Sequence, residues 1–205
     1  MSTKIGILFG QFDEVAQDIL SYLLIYQSTQ QKSFEFIILS CPEDDPFVAM
    51  LCREPAPGHA EARTRAEEFF DRIKFRNESA AKEYELKASQ CDKLVLLTDT
   101  AFSDNYYYIG DEAWGVIALG GWENEFAPPS IVEYYLSFVV AAAIESVVSL
   151  ATHFETRGCI SDFNRTLSDA RFSVLTGHIC EVCERKIKTQ ASIQAFDDVA
   201  CCRFG

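Results

Sequence analysis

Residues 128–153 read PPSIVEYYLSFVVAAAIESVVSLATH, the stretch that decides the fold. Pro128 and Pro129 halt the preceding chain. Ser130, with Glu133 three residues later, forms a capping-box pattern in which side chains satisfy the amide donors left unpaired at a helix start. From Ile131 to Thr152 the residues are mostly Val, Ala, Ile and Leu. Such a run is long enough to cross a bilayer, yet it carries Glu133 and Glu145, and a carboxylate in hydrocarbon is costly. A buried central helix is therefore expected.

Short apolar and β-branched runs lie upstream at Lys4–Phe9, Phe34–Leu39, Lys93–Thr98 and Gly115–Leu119, each bounded by Asp, Gly or Ser, and they read as strands. Between the first two, Val15, Ile19, Tyr22, Leu23 and Tyr26 recur at helical spacing, which predicts a helix over residues 13–26. Cys41–His59 holds four prolines and reads as a loop. After it, Ala62, Ala66, Phe69, Phe70, Ile73, Ala80, Ala81 and Tyr84 mark a long amphipathic helix over 61–88, whose mixed charges suit a solvated outer face. Strands alternating with helices imply an α/β protein, a mixed sheet packed against the long buried helix. With 205 residues, 48% hydrophobic, the chain can form a core without disulfides. Its net charge of -13 repels phosphate backbones and disfavours broad nucleic-acid binding. The apolar run after Lys4 is too short for a secretory signal, so the reducing cytoplasm is the expected compartment.

Beyond the long helix, His153, Cys159, Cys180 and Cys183 spell His-x5-Cys-x20-Cys-x2-Cys. Cys-x2-Cys is knuckle spacing, in which one tight turn places two thiolates on one tetrahedral ion, and residues 184–188 can continue as a helix. Gly158 and Gly177 precede the ligand pairs, where the backbone must turn sharply. One imidazole and three thiolates fill a tetrahedral zinc ion, which makes the site structural. His178 is an alternative fourth ligand. Residues 153–190 hold six Lys and Arg against five Asp and Glu, whereas residues 1–152 hold eleven against twenty-four. The expected organisation is an α/β body over 1–152, a zinc-knuckle module over 153–190 and a C-terminal tail over 191–205.

The helix 131–152, His153, Cys159, the Cys180-x2-Cys183 pair and the Leu94-Val95-Leu96-Leu97-Thr98-Asp99 run together resemble the archaemetzincin branch of the metzincin-type zinc peptidases. That resemblance implies a helix bearing His-Glu-x-x-His, a third His ligand six residues on, and a separate structural zinc held by a Cys set. With His153 as the third His, the first two fall on Ala143 and Val147 and the catalytic Glu on Ile144. The Cys of the family's His-Cys pair falls on Phe154, while Cys159, Cys180 and Cys183 match the remaining structural ligands. A degenerate archaemetzincin-like protein is implied, in which His153 turns to complete the structural site. Glu145 is one residue from the family's Glu, but one residue rotates a helical side chain by about 100°.

Other features are weaker. Gly6 and Gly10 follow no phosphate-binding motif. Cys41, Cys52 and His59 lack a fourth ligand or an evident base, and Cys201-Cys202 sits in the tail. Tyr106, Tyr107, Tyr108, Trp114 and Trp122 offer either a binding rim or sheet-packing aromatics. The expected function is non-enzymatic, a subunit that recognises or regulates a protein partner. Two alternatives remain open: a hydrolase with an unrecognised active site, and a zinc-knuckle nucleic-acid binder using Arg157, Arg165, Arg171, Arg185, Lys186 and Lys188.

Overall fold

The four apolar runs become β1 (Thr3–Phe9), β2 (Phe34–Leu39), β3 (Lys93–Thr98) and β5 (Trp114–Ala118), and the short β4 (Tyr108–Gly110), which the sequence reading missed, precedes the last of them. The structure, a computed structural model, describes residues 2–84, 90–121, 128–150, 153–154, 158–164 and 167–204. The strands pair in the order β2-β1-β3-β5-β4, all parallel except β4, which runs antiparallel to β5. Every residue of β3 and β5 is buried, as parallel strands require when helices cover both faces. Side chains alternate between the two layers. Ile5, Ile7, Phe9, Val95, Leu97 and Ile117 enter one apolar cluster, and Leu8, Leu94, Leu96 and Val116 enter the other.

The second cluster is closed by α2 (Pro46–Leu51) and α3 (His59–Glu83). The first is closed by α1 (Glu14–Gln30) and α4 (Ile131–Glu145), joined by Ala170, Ile187 and Val199 from α5 (Leu167–Thr176), α6 (Glu181–Gln190) and α7 (Ile193–Phe204). The mixed sheet packed on a buried helix is thus as the sequence indicated. The capping box forms: the Ser130 hydroxyl accepts from Glu133 N, and Ser130 N donates to Glu133 Oε2 at 2.7 Å. Tyr135 of α4 reaches Thr98 O at 2.7 Å and Asp99 Oδ1 at 2.9 Å, fixing the helix to the end of β3.

Several details differ from the expectations. The proline-rich loop 41–59 contains α2, which starts because the Asp45 carboxylate accepts from Phe47 N and Pro46 supplies a preset φ at the first helical position. α4 stops at Glu145, well before Thr152; Ser146 caps it and donates its hydroxyl to Ala143 O at 2.7 Å, competing with helix continuation. The spacing left open which face of α1 packs inward; it is Ala16, Leu20, Leu24 and Gln27, and Val15, Ile19, Tyr22 and Tyr26 point outward. Residues 191–205, expected as a tail, carry α7, which packs against α1, α4 and α6. α3 also ends at Glu83, and its last turns leave the core, with Ala80 and Tyr84 exposed.

A buried carboxylate anchors α7. Asp198 Oδ2 accepts from Ser33 Oγ (2.6 Å), Ser33 N (2.9 Å) and Lys32 N (3.2 Å), while Oδ1 accepts from Gln194 Nε2. Burial works to raise its pKa, but these donors outweigh it and hold the carboxyl below the ordinary value. A depressed carboxyl pKa stabilises the fold above the unfolded value and loses that effect as pH falls through the folded one. Asp198→Ala is expected to cost about 1–3 kcal/mol at neutral pH, measured by urea denaturation, with the difference from wild type shrinking below about pH 4. An unchanged midpoint at pH 7 would contradict this role.

Candidate metal centre and the adjoining cleft

The described residues after α4, 146–150, 153–154 and 158–164, are irregular, and backbone bonds shape them. His153 N donates to Ser161 O (2.9 Å), Phe163 N to His153 O (2.8 Å), and Ile160 N to His178 O (3.0 Å). Two glycines allow the turns. Gly158 has φ +75°, and a Cβ there would lie 2.8 Å from Phe172 Cε1 and 2.9 Å from Thr176 Oγ1; Gly177 has φ +56°. Cys180 is the N-cap of α6, and Cys183 lies three residues on, so both sulfurs stand at the first turn.

This folding brings His153, Cys159, Cys180 and Cys183 together, with their ligand atoms all within 4.8 Å of one another. His153 Nε2 is 3.4 Å from Cys183 Sγ and 3.7 Å from Cys180 Sγ. Tetrahedral zinc bonds of about 2.0–2.1 Å to nitrogen and 2.3 Å to sulfur imply N···S separations of roughly 3.5 Å. The residues therefore fit a zinc ion, and the cluster could hold one. His153 stands on the irregular segment, where the sequence had put it at the helix end. His178 is exposed and contributes its backbone carbonyl only, outside the four-residue group.

Sequence reasoning missed Asp162, which orients the imidazole. Its Oδ1 lies 3.1 Å from His153 Nδ1, and its Oδ2 accepts from Cys159 N at 3.0 Å. A carboxylate can only accept, so the hydrogen sits on Nδ1 and the Nε2 lone pair faces the sulfurs. Only the fold joins Asp162 to His153, and ligand spacing gives no sign of it.

The sulfurs differ in their surroundings. Burial pushes the Cys159 thiol up, against the amides of Cys180 and Ser161 that point at it, and pushes Cys183 up to about 12. Burial also acts to raise Cys180, but the amides of Cys183 and Val182 at the helix start outweigh it and hold this thiol below its ordinary value. Metal must then displace protons from at least two thiols, so affinity falls as pH falls. A slope of roughly 100-fold per pH unit is expected below pH 8, measured by competition with a zinc indicator. A pH-independent affinity would exclude thiolate ligation.

A cleft of about 270 Å³ adjoins the cluster, between Tyr106–Tyr108, α4 and residues 160–164. Tyr107 stacks on Phe138 at 4.8 Å and Trp114 on Phe70 at 5.3 Å, so these aromatics pack against helices, while Tyr106 covers His59 at 3.9 Å. Glu145 also lines the cleft: its Oε2 accepts from Tyr108 OH at 3.0 Å and lies 3.4 Å from Lys93 Nζ. Lys93 is fully buried, donates to Asp111 O at 2.8 Å, and has its pKa lowered by burial, against the pull of Glu145. α4 itself carries no His or Cys.

The remaining candidates stay apart. Cys41 is raised to about 11 by burial, which leaves it protonated, and Cys52 is exposed. His59 Nδ1 lies 2.6 Å from Asp104 Oδ2. Among the described residues, none of these three joins a metal-binding group. At the switch point between β1 and β3, Gly10 N donates to Leu97 O and Asp99 N to Gln11 O, which ties together the loops that would open for a nucleotide. Arg171 Nε donates to Pro128 O and Lys188 Nζ to Glu184 Oε1, while Arg157, Arg165 and Trp122 lie outside the described residues. So do the side chains of Cys201 and Cys202.

A mixed sheet with one antiparallel edge strand, a buried helix beneath it and a Cys/His cluster beyond that helix define an archaemetzincin-like fold. Among solved structures, archaemetzincin from Methanopyrus kandleri matches with a TM-score of 0.52 and 10% identity, over 91% of this chain and 96% of that one. Archaemetzincin from Archaeoglobus fulgidus, complexed with malonate, matches with a TM-score of 0.53 and 13% identity, over 90% of this chain and all of that one. No family model and no curated protein matches the sequence. At these identities the likeness shows the fold. No helix among the described residues is long and apolar enough to cross a membrane.

Proposed function

We propose that this protein is a non-hydrolytic relative of the archaemetzincin fold, with a closed structural zinc, acting as a subunit that binds a protein partner in the cytoplasm. The observation that carries the proposal is the complete donor set. One nitrogen and three sulfurs, from His153, Cys159, Cys180 and Cys183, stand within 4.8 Å of one another. Such a set fills a tetrahedral ion and leaves no position for a water, so zinc bound there supplies folding energy. Peptide hydrolysis by the metzincin route needs a metal-bound water and a carboxylate to take its proton. The residues in the family's ligand positions, Ala143 and Val147, cannot bind metal, and a reducing compartment suits three thiolates.

Recognition is assigned to the cleft. Three consecutive tyrosines, Phe138 and Phe163 line it, and Phe163 and its neighbour Phe154 are both exposed, a composition that favours protein contacts. The zinc-loaded protein, incubated with a proteome-derived peptide mixture and read by mass spectrometry, should yield no new cleavage products. Capture experiments from the native host should recover a partner that Tyr106→Ala loses. Cleavage that disappears on chelation would overturn the proposal in favour of a hydrolase.

A further inference from the structure

The apolar stripe of α1 faces solvent. Val15 is 67% exposed, Ile19 44%, Tyr22 68%, Ile25 53% and Tyr26 45%, while Ala16, Leu20 and Leu24 on the other side fill the protein's own core. A helix that has satisfied its core face has no internal use for a second apolar stripe. The spacing from Val15 through Ile19 and Tyr22 to Tyr26 is four, three, four, the narrow seam that another helix reads in coiled-coil fashion. Tyr22 and Tyr26 are already stacked, with ring centroids 6.3 Å apart and planes 10° from parallel, so little side-chain freedom remains to be lost on docking.

We propose that α1 is a self-association surface, through which two copies of this chain pair as antiparallel helices about a twofold axis. The charge pattern selects both the occupant and the direction. α1 carries Glu14 and Asp18 in its first two turns and no charge from Ser21 to Gln30, with Lys32 just beyond. On a chain of net charge -13, this helix face is nearly free of the repulsion that two copies meet elsewhere. Parallel pairing would set Asp18 against Asp18. Antiparallel pairing instead sets Glu14 opposite Gln27 and Asp18 opposite Leu23, uncharged positions of the second copy. The neutral flanks, Gln17, Ser21 and Thr29, offer no charge code for a different partner.

In this arrangement Ile19 meets Tyr22 of the second copy, Val15 meets its Tyr26, and both contacts occur twice, as an isologous interface requires. The exposed stripe is on the order of 500 Å² per copy, a patch size that marks interaction sites on single chains. Two copies together bury roughly 1,000 Å², which meets the lower bound of specific interfaces. The contact is thus expected to be concentration-dependent.

The test is light scattering coupled to size exclusion, on the full chain. Wild type at about 100 µM should have twice the 23.1 kDa chain mass. Ile19→Glu combined with Tyr22→Glu should weaken association at least about 100-fold, leaving circular dichroism and zinc content unchanged. Mixed Val15→Cys and Tyr26→Cys proteins, mapped by mass spectrometry, should cross-link to each other and not to themselves. A wild-type monomer, a dimer that survives the double substitution, or Val15→Cys self-linkage would each overturn the proposal.

Discussion

Stripping zinc from the purified protein is expected to unfold the chain between His153 and Gln190 while β1, β3 and β5 stay protected. The four donors cross-link a segment that adds only Ala170 and Ile187 to the buried apolar cluster, with Ile160, Val174 and Ile179 packed against it. Around it the described backbone is held by isolated bridges, His153 to Asp162 and Cys159 to His178. Zinc contributes on the order of ten kcal/mol in small modules, comparable with the whole stability of a typical domain. Ala170 and Ile187 also belong to the apolar cluster that holds α4, so the melting temperature of the remainder should fall as well. Hydrogen exchange with and without a chelator reads both effects. Cys183→Ser should reproduce most of the chelation effect by itself, because losing one of four ligands undoes a cooperative site. Protection of residues 158–190 that ignores the chelator would mean the four residues are an ordinary buried cluster.

The second large effect concerns Glu145. Lys93 is wholly enclosed, with one carboxylate and one carbonyl as partners. Lys93 is buried but Glu145 is half exposed, so water shares in screening the lysine, and Glu145→Ala is expected to cost about 1–2 kcal/mol. Lys93→Met should be nearly neutral, because it removes the charge that needs compensation, and in that background Glu145→Ala should cost much less. Urea denaturation of the four proteins closes the cycle. If Glu145→Ala left stability untouched while altering a turnover, the carboxylate would be a catalytic base and the structural role would fail.

What the sequence made legible was whatever one local pattern controls. The strands at 34–39 and 93–98 are mostly apolar, and the start of α4 is written in Ser130 and Glu133. α1 was legible as a helix, but its packed face was not, because it is apolar on two faces and periodicity cannot say which of them the sheet takes. The end of α4 carries no Gly or Pro stop, so nothing in the sequence marks where it gives way at Ser146. α7 stayed hidden because its buried anchor is Asp198, a residue that reads as solvent-facing until Ser33 and Lys32 surround it. The four residues that could hold a metal were legible as a spacing, Cys180 and Cys183 above all. Asp162 was not, since its partnership with His153 is made by tertiary folding alone.

X-ray absorption at the zinc edge of the metal-loaded protein tests the central claim most directly. One zinc per chain with three sulfurs at about 2.3 Å and one nitrogen at about 2.0 Å is the expected coordination shell. An oxygen in that shell, or a second zinc ligated by nitrogen and oxygen, would contradict it and return an open catalytic position to the protein.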